Sequence, residues 1–282
     1  MVIIKILIIF LFIGVGIFYV KPAYWTPYAP FGISGILTAS AIVFFAFLGF
    51  DAVSSAAEET KNPQKDLPRG ILASLAICTF LYVIVSAVVT GTTHYQLLKG
   101  IDHPISKVLE VIGQNWIAGF IDLGAILGMT TVLLVLVYAQ VRIAYAMSRD
   151  GLLPKIFTKT HPKFRTPFYA TWIFGFIAAL IGGLVPLDQL AQLVNIGTLF
   201  AFTMVAVSVL ILRYRQPNLQ RRFRCPGVPY IPILSVLCSI TLMTQLNRTT
   251  WTAFAIWISL GIIFYFAYSR KRSHLHTGRA EN

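Results

Sequence analysis

Residues 44–55 read FFAFLGFDAVSS, and the reading of this stretch decides the fold. It lies in an apolar block covering 36–57, yet it holds a glycine, Gly49, and a carboxylate, Asp51. A bilayer core about 30 Å thick takes about 20 apolar residues as helix. A carboxylate at that depth is costly and marks a functional position by default. Two arrangements accommodate it. In one, the helix breaks near 46–50 and restarts after Asp51, since Asp is a good N-cap. In the other, the helix runs unbroken and Asp51 faces a polar neighbour. A break frees backbone carbonyl and N–H groups, which lipid tolerates only where they are buried in protein or line a cavity.

Outward from this block, the chain continues in the same style. Apolar blocks cover 2–20, 36–57, 71–93, 116–141, 168–187, 190–212, 229–246 and 251–269. The 282 residues are 57% hydrophobic and 12% charged, with a mean hydropathy of +0.75. A soluble domain carries about 25% charged residues, so this composition excludes one. The blocks do not alternate as the strands of a membrane barrel would. The expectation is an all-α membrane protein of eight transmembrane helices, forming a single membrane domain over 1–282 with a basic tail at 270–282. Helix punctuation agrees. Pro68 stands just before the third block, where proline suits a first turn. Arg149, Asp150 and Gly151, followed by Pro154, read as a helix stop. Tyr24, Trp25 and Trp116 lie at block edges, as interfacial aromatics do. The first block ends Tyr19-Val20-Lys21-Pro22 without a small-residue cleavage pattern, so it reads as a retained span rather than a signal peptide.

The net charge of +13 is unevenly placed. Segments 58–70, 142–167, 213–228 and 270–282 hold three, six, five and four Lys or Arg, eighteen in all. The alternate segments hold Lys21, Lys99, Lys107 and Arg248. By the positive-inside rule both termini are expected in the cytoplasm. The same bias explains the basicity without nucleic acid. Stretches such as Arg221-Arg222-Phe223-Arg224 and Arg270-Lys271-Arg272 suit anionic lipid headgroups.

Other polar positions need weighing. Lys5, inside the first block, would titrate if desolvated; it is also near enough to the chain start to snorkel to the headgroups. Gly124 and Gly128 form a small-xxx-small pair that lets another helix approach closely. Thr130 and Thr131 suit a cation, or bond the carbonyls of the preceding turn. Asp122 sits near the outer end, Gln140 and Gln192 are further polar positions, and Asn195 is expected to bond a neighbouring helix. The histidines (94, 103, 161, 274 and 276) fall in loops or the tail, so none is placed for catalysis. Cys78, Cys225 and Cys238 are scattered, without the spacing of a disulfide framework or zinc site. No HExxH, GxSxG, P-loop or GxGxxG occurs. No metal or cofactor is expected, and an enzyme is the least favoured class.

Three stretches then point to one family. Residues 44–71, FFAFLGFDAVSSAAEETKNPQKDLPRGI, resemble the sixth helix and following loop of amino-acid permeases of the APC superfamily, with bacterial members of the cationic amino-acid transporter family most alike. Residues 140–154, QVRIAYAMSRDGLLP, are similar to the end of their eighth helix, and 190–213, LAQLVNIGTLFAFTMVAVSVLILR, to their tenth. The resemblance implies a proton-coupled secondary carrier of amino acids, cationic or neutral, working by alternating access in a multi-pass cell membrane protein. It implies part of a five-plus-five inverted-repeat fold: helices 5–12 present, helices 1–4 missing, and so an incomplete carrier, with any partner supplying those helices unknown. Discontinuous helices form substrate sites in secondary transporters. Here the resemblance assigns the backbone carbonyls of Phe45, Ala46 and Leu48 to the substrate's ammonium group, Phe50 to an aromatic lid and Met129 to the side-chain pocket. Lys5 matches a lysine implicated in proton coupling, near Thr130 and Thr131, with Asp51 as a supporting polar group; this favours a functional Lys5 over snorkelling. The alternative is a membrane interaction or assembly subunit that does not transport.

Overall fold

The structure is a computed structural model that describes residues 2–54, 60–101, 103–218 and 223–273. Among the described residues there is no strand, and nine helices of eight residues or more follow in order. They are α1 (Val2–Gly16), α2 (Gly32–Val43), α3 (Pro63–Thr92), α4 (Pro104–Val111), α5 (Asn115–Arg149), α6 (Phe168–Leu184), α7 (Leu187–Arg215), α8 (Tyr230–Thr244) and α9 (Arg248–Phe264). The end of the second expected block, 55–57, the arginines Arg221 and Arg222, and the tail from 274 with His274 and His276 lie outside the described residues.

Six segments are long and apolar enough to cross a membrane: Val2–Tyr19, Gly32–Ser54, Pro63–Thr92, Asn115–Arg149, Leu187–Arg215 and Arg248–Arg272. The expected blocks 168–187 and 229–246 are helical as α6 and α8, but these hold only 17 and 15 residues. At about 1.5 Å per residue they reach about 26 and 23 Å, short of a core about 30 Å thick. Large apolar side chains such as Leu133, Leu134, Phe176 and Trp257 stay exposed along these helices. A bilayer is the solvent such faces require.

Helix ends follow local chemistry. The stop read at Gly151 is a Schellman turn: Gly151 takes φ +80°, its N–H donates to Ser148 O (3.1 Å), and Leu152 N–H donates to Met147 O (2.8 Å). Asn115–Arg149 therefore runs eight residues past the apolar block that ends at 141. At the other end of its range, α3 starts earlier than the block 71–93. Pro63 takes the first helical position, and Asn62 O accepts from Lys65 and Asp66 N–H (3.1 and 2.9 Å). Pro68 thus sits inside the second turn, not at the start.

The chain divides into two compact units, Met1–Gly32 with Gly70–Leu136, and Ile33–Arg69 with Val137–Asn282. In the first, Phe12 of α1, Val88 of α3, Val108 and Leu109 of α4, and Ile117, Ala118 and Ile121 of α5 form the core. Close approach depends on glycine: a Cβ on Gly16 would overlap Val88, and one on Gly124 would overlap Ile8. Just beyond α1, Lys21 N–H donates to Gly91 O (2.7 Å) and the Trp25 indole to Ala87 O (3.3 Å), tying this turn to α3. Helix α4 was not anticipated, although its signal is present. Ile105, Val108, Leu109 and Ile112 recur at helical spacing and face the core, while Lys107 and Glu110 pair on the outer face (3.0 Å).

In the second unit, Ala41 of α2 packs with Ile196 and Leu199 of α7, Met243 of α8 and Leu246. Polar side chains lock the ends of these helices. Gln192 Oε1 accepts from Thr250 Oγ1 (3.1 Å) and Asn247 N–H (3.4 Å) at the start of α9. Trp251 Nε1 donates to Met243 O (3.1 Å) at the end of α8.

Candidate functional site

The helix does break where the sequence left the choice open. After Val43, α2 tightens into a 3-10 turn, Phe44–Phe47, in which Leu48 N–H returns to Phe45 O (3.2 Å). Leu48 is extended (φ −64°, ψ 141°) and Gly49 takes φ +115°. A side chain is strained at that φ, so glycine is what permits the turn. The chain then coils again over 51–54. Asp51 does not simply cap the restart. Its Oδ1 accepts from Gly49 N–H behind it (3.2 Å), while Ser54 Oγ donates to Asp51 O (2.6 Å). The carboxylate thereby braces the turn that the glycine makes.

What holds the upstream half is a side chain on α7. Asn195 is fully buried, and its Nδ2 donates to Ala41 O (2.9 Å) and Ile42 O (3.1 Å). Both acceptors are carbonyls, so the amide orientation is settled: only the NH2 end can donate. The expected bond from Asn195 to a neighbouring helix is therefore present, and it lands on the last turn before the break. Phe202, one helix face further along α7, meets Phe44 edge-on (6.2 Å) and Phe50 at a tilt (5.4 Å). Sequence reading passed over Phe202; its spacing of seven from Asn195 puts both on one face of α7. Thr38 Oγ1 adds a bond to Gln245 Oε1 (3.2 Å).

The remaining expected residues belong to the first unit. Lys5 is half-buried against α5, and a Cβ on Gly128 would lie 2.6 Å from Lys5 Cε. The small-xxx-small pair thus admits α1 as expected, with Ile8 over Gly124 and Lys5 over Gly128. Thr130 and Thr131 both donate to the preceding turn, to Ile126 O and Leu127 O (2.9 Å each). Of the two, Thr131 lies three residues from Gly128 and so shares its face. Met129 is exposed (66%). The site set accordingly splits: Lys5, Met129, Thr130 and Thr131 sit in one unit, and Phe45, Ala46, Leu48, Phe50 and Asp51 in the other.

A family profile described as amino acid permease matches residues 1–268. The chain belongs to the amino acid permease family. It is 57% identical to the branched-chain amino acid permease BcaP of Bacillus subtilis (strain 168) over 276 residues, covering 98% of this chain and 59% of that protein. It is 52% identical to the methylthioribose transporter of the same organism, over 98% of this chain and 59% of that protein. The vacuolar cationic amino acid transporter 4 of Arabidopsis thaliana is 46% identical over 68% of this chain and 32% of its own length. The chain thus spans about 59% of the length of the two Bacillus relatives. Membership, together with the six long apolar segments, makes it a multi-pass membrane protein of a transport family rather than an enzyme family.

Proposed function

We propose that this chain is the later part of a secondary carrier that moves an amino acid across the cell membrane by alternating access, coupled to protons. The observation that carries the reading is the break at 44–50, clamped by Asn195 in a member of the amino acid permease family. Unwound backbone inside an apolar span offers carbonyl oxygens to a cation without a charged side chain. In this reading the carbonyls of Phe45, Ala46 and Leu48 hold the substrate ammonium; the Phe45 oxygen, engaged by Leu48 N–H, keeps its second lone pair for that task. Phe50 closes over the substrate, and Asp51 keeps the turn shaped. Lys5 carries the coupled proton, its stem lying at Gly128, with Thr131 and Thr130 close by on α5. All eight apolar helices cross the membrane in the proposed carrier, in a partial inverted-repeat arrangement, with both ends of this chain cytoplasmic. The complete carrier also holds helices equivalent to the rest of the relatives' length.

Proteoliposomes test this directly. The chain reconstituted together with those helices should take up radiolabelled amino acids, and an inward proton gradient should drive accumulation. Lys5→Met should abolish gradient-driven accumulation while leaving substrate binding measurable. If the completed protein binds no amino acid at all, the carrier reading fails. Orientation has its own check: single cysteines introduced at His161 and at His103 should label from opposite sides of the membrane with an impermeant thiol reagent.

A further inference from the structure

We infer that Asn195 is a positioning residue that selects the broken form of α2 by satisfying the two carbonyls that a break would leave unmet. An α-helix continued through residues 44–46 would bond Phe45 N–H to Ala41 O and Ala46 N–H to Ile42 O, the i→i−4 pattern. Those two oxygens are the ones Asn195 Nδ2 takes, at 2.9 and 3.1 Å. Beyond Val43 the chain uses the tighter i→i−3 pattern instead. Each oxygen keeps a second lone pair, so the Asn195 bonds do not forbid helix continuation; they satisfy Ala41 O and Ile42 O without it, and so remove the cost of leaving those oxygens unmet when the helix breaks. Asn195 is fully buried, so its amide has no water to turn to, and an unmet buried amide is costly. Its Oδ1 finds no partner among the described residues, so the two Nδ2 bonds are the ones that offset its burial. The inference deepens the carrier reading, because the break supplies the proposed ammonium site, but its physical core concerns only α2 and α7.

Two arms test it. The first needs no transport. Amide hydrogen exchange of this chain in nanodiscs, with Asn195→Leu against the unsubstituted protein, should show Phe45 and Ala46 amides exchanging at least tenfold more slowly as the helix closes through them. Peptides from α8 and α9 should stay within twofold. Unchanged exchange at residues 41–48, or a uniform rise over the whole chain, would overturn the inference. The second arm uses the completed carrier. Asn195→Asp replaces the amide by a group that donates only when protonated. Its uptake relative to wild type should rise at least fivefold between pH 8 and pH 5, with the change in KM rather than maximal rate; a ratio flat with pH would count against a positioning role. Failure of the unsubstituted carrier to take up amino acids would sink the transport reading alone, and the exchange arm would then decide on Asn195.

Discussion

Gly124→Ala tests how closely α1 and α5 are packed. A Cβ at this position would overlap Ile8 Cδ1 and lie 3.2 Å from both Cγ1 and Cγ2 of Ile8. Ile8 Cδ1 can turn aside about χ2, but Cγ1 and Cγ2 are held by the stiff χ1 of a β-branched residue, so at 3.2 Å the helices must still give by a few tenths of an ångström. Overpacking of this kind costs about 1–3 kcal/mol. Against it stands the gain of replacing glycine by alanine inside a helix, about 1 kcal/mol. Gly119, five residues earlier on α5, has nothing within 4 Å of its Cβ position, so Gly119→Ala should show that gain alone. The two variants should then differ by about 1–3 kcal/mol, Gly124→Ala being the less stable. The assay is SDS-driven unfolding in mixed micelles, followed by tryptophan fluorescence. Repeating Gly124→Ala in an Ile8→Ala background isolates the contact: with the obstructing side chain gone, the substitution should become stabilising, like Gly119→Ala. A Gly124→Ala effect equal to that of Gly119→Ala, or one unaltered by Ile8→Ala, would refute the packing argument.

Three further outcomes follow from single positions. Gly49→Ala puts a side chain at φ +115° and should cost about 1–3 kcal/mol, seen as a lower melting temperature in detergent and as lost uptake by the completed carrier. Gly151→Ala strains the Schellman turn at φ +80° and should lower stability by about 1–2 kcal/mol, without changing substrate affinity. Trp25→Phe removes the indole donation to Ala87 O; a loss of about 0.5–1.5 kcal/mol, together with faster amide exchange just after α1, would mark that bond as the tie to α3.

How far these features were legible depended on how far along the chain their causes lie. The stop at Gly151 was readable because its donors and acceptors are within five residues, 147–152. The long apolar spans were readable because composition alone excludes water as their solvent. Helix α4 was readable and missed: its apolar positions repeat at helical spacing, but at eight residues it fell below the length looked for in a membrane block. The break was different. Gly49 and Asp51 raised the question and could not answer it, because a glycine and one carboxylate cost a helix about 1 kcal/mol each at most, too little to end it inside lipid. The deciding partner, Asn195, stands 154 residues from Ala41, and nothing in the sequence names its acceptors. The same holds for Phe202 beneath Phe44 and Phe50. Local chemistry therefore makes α2 breakable, and a distant side chain stabilises the break. A helix poised in this way is suited to a part that must switch, since a change of about 5.5 kcal/mol suffices to move a two-state element from 1:99 to 99:1, and losing two buried hydrogen bonds, each about 1–3 kcal/mol when left unmet, is of that order.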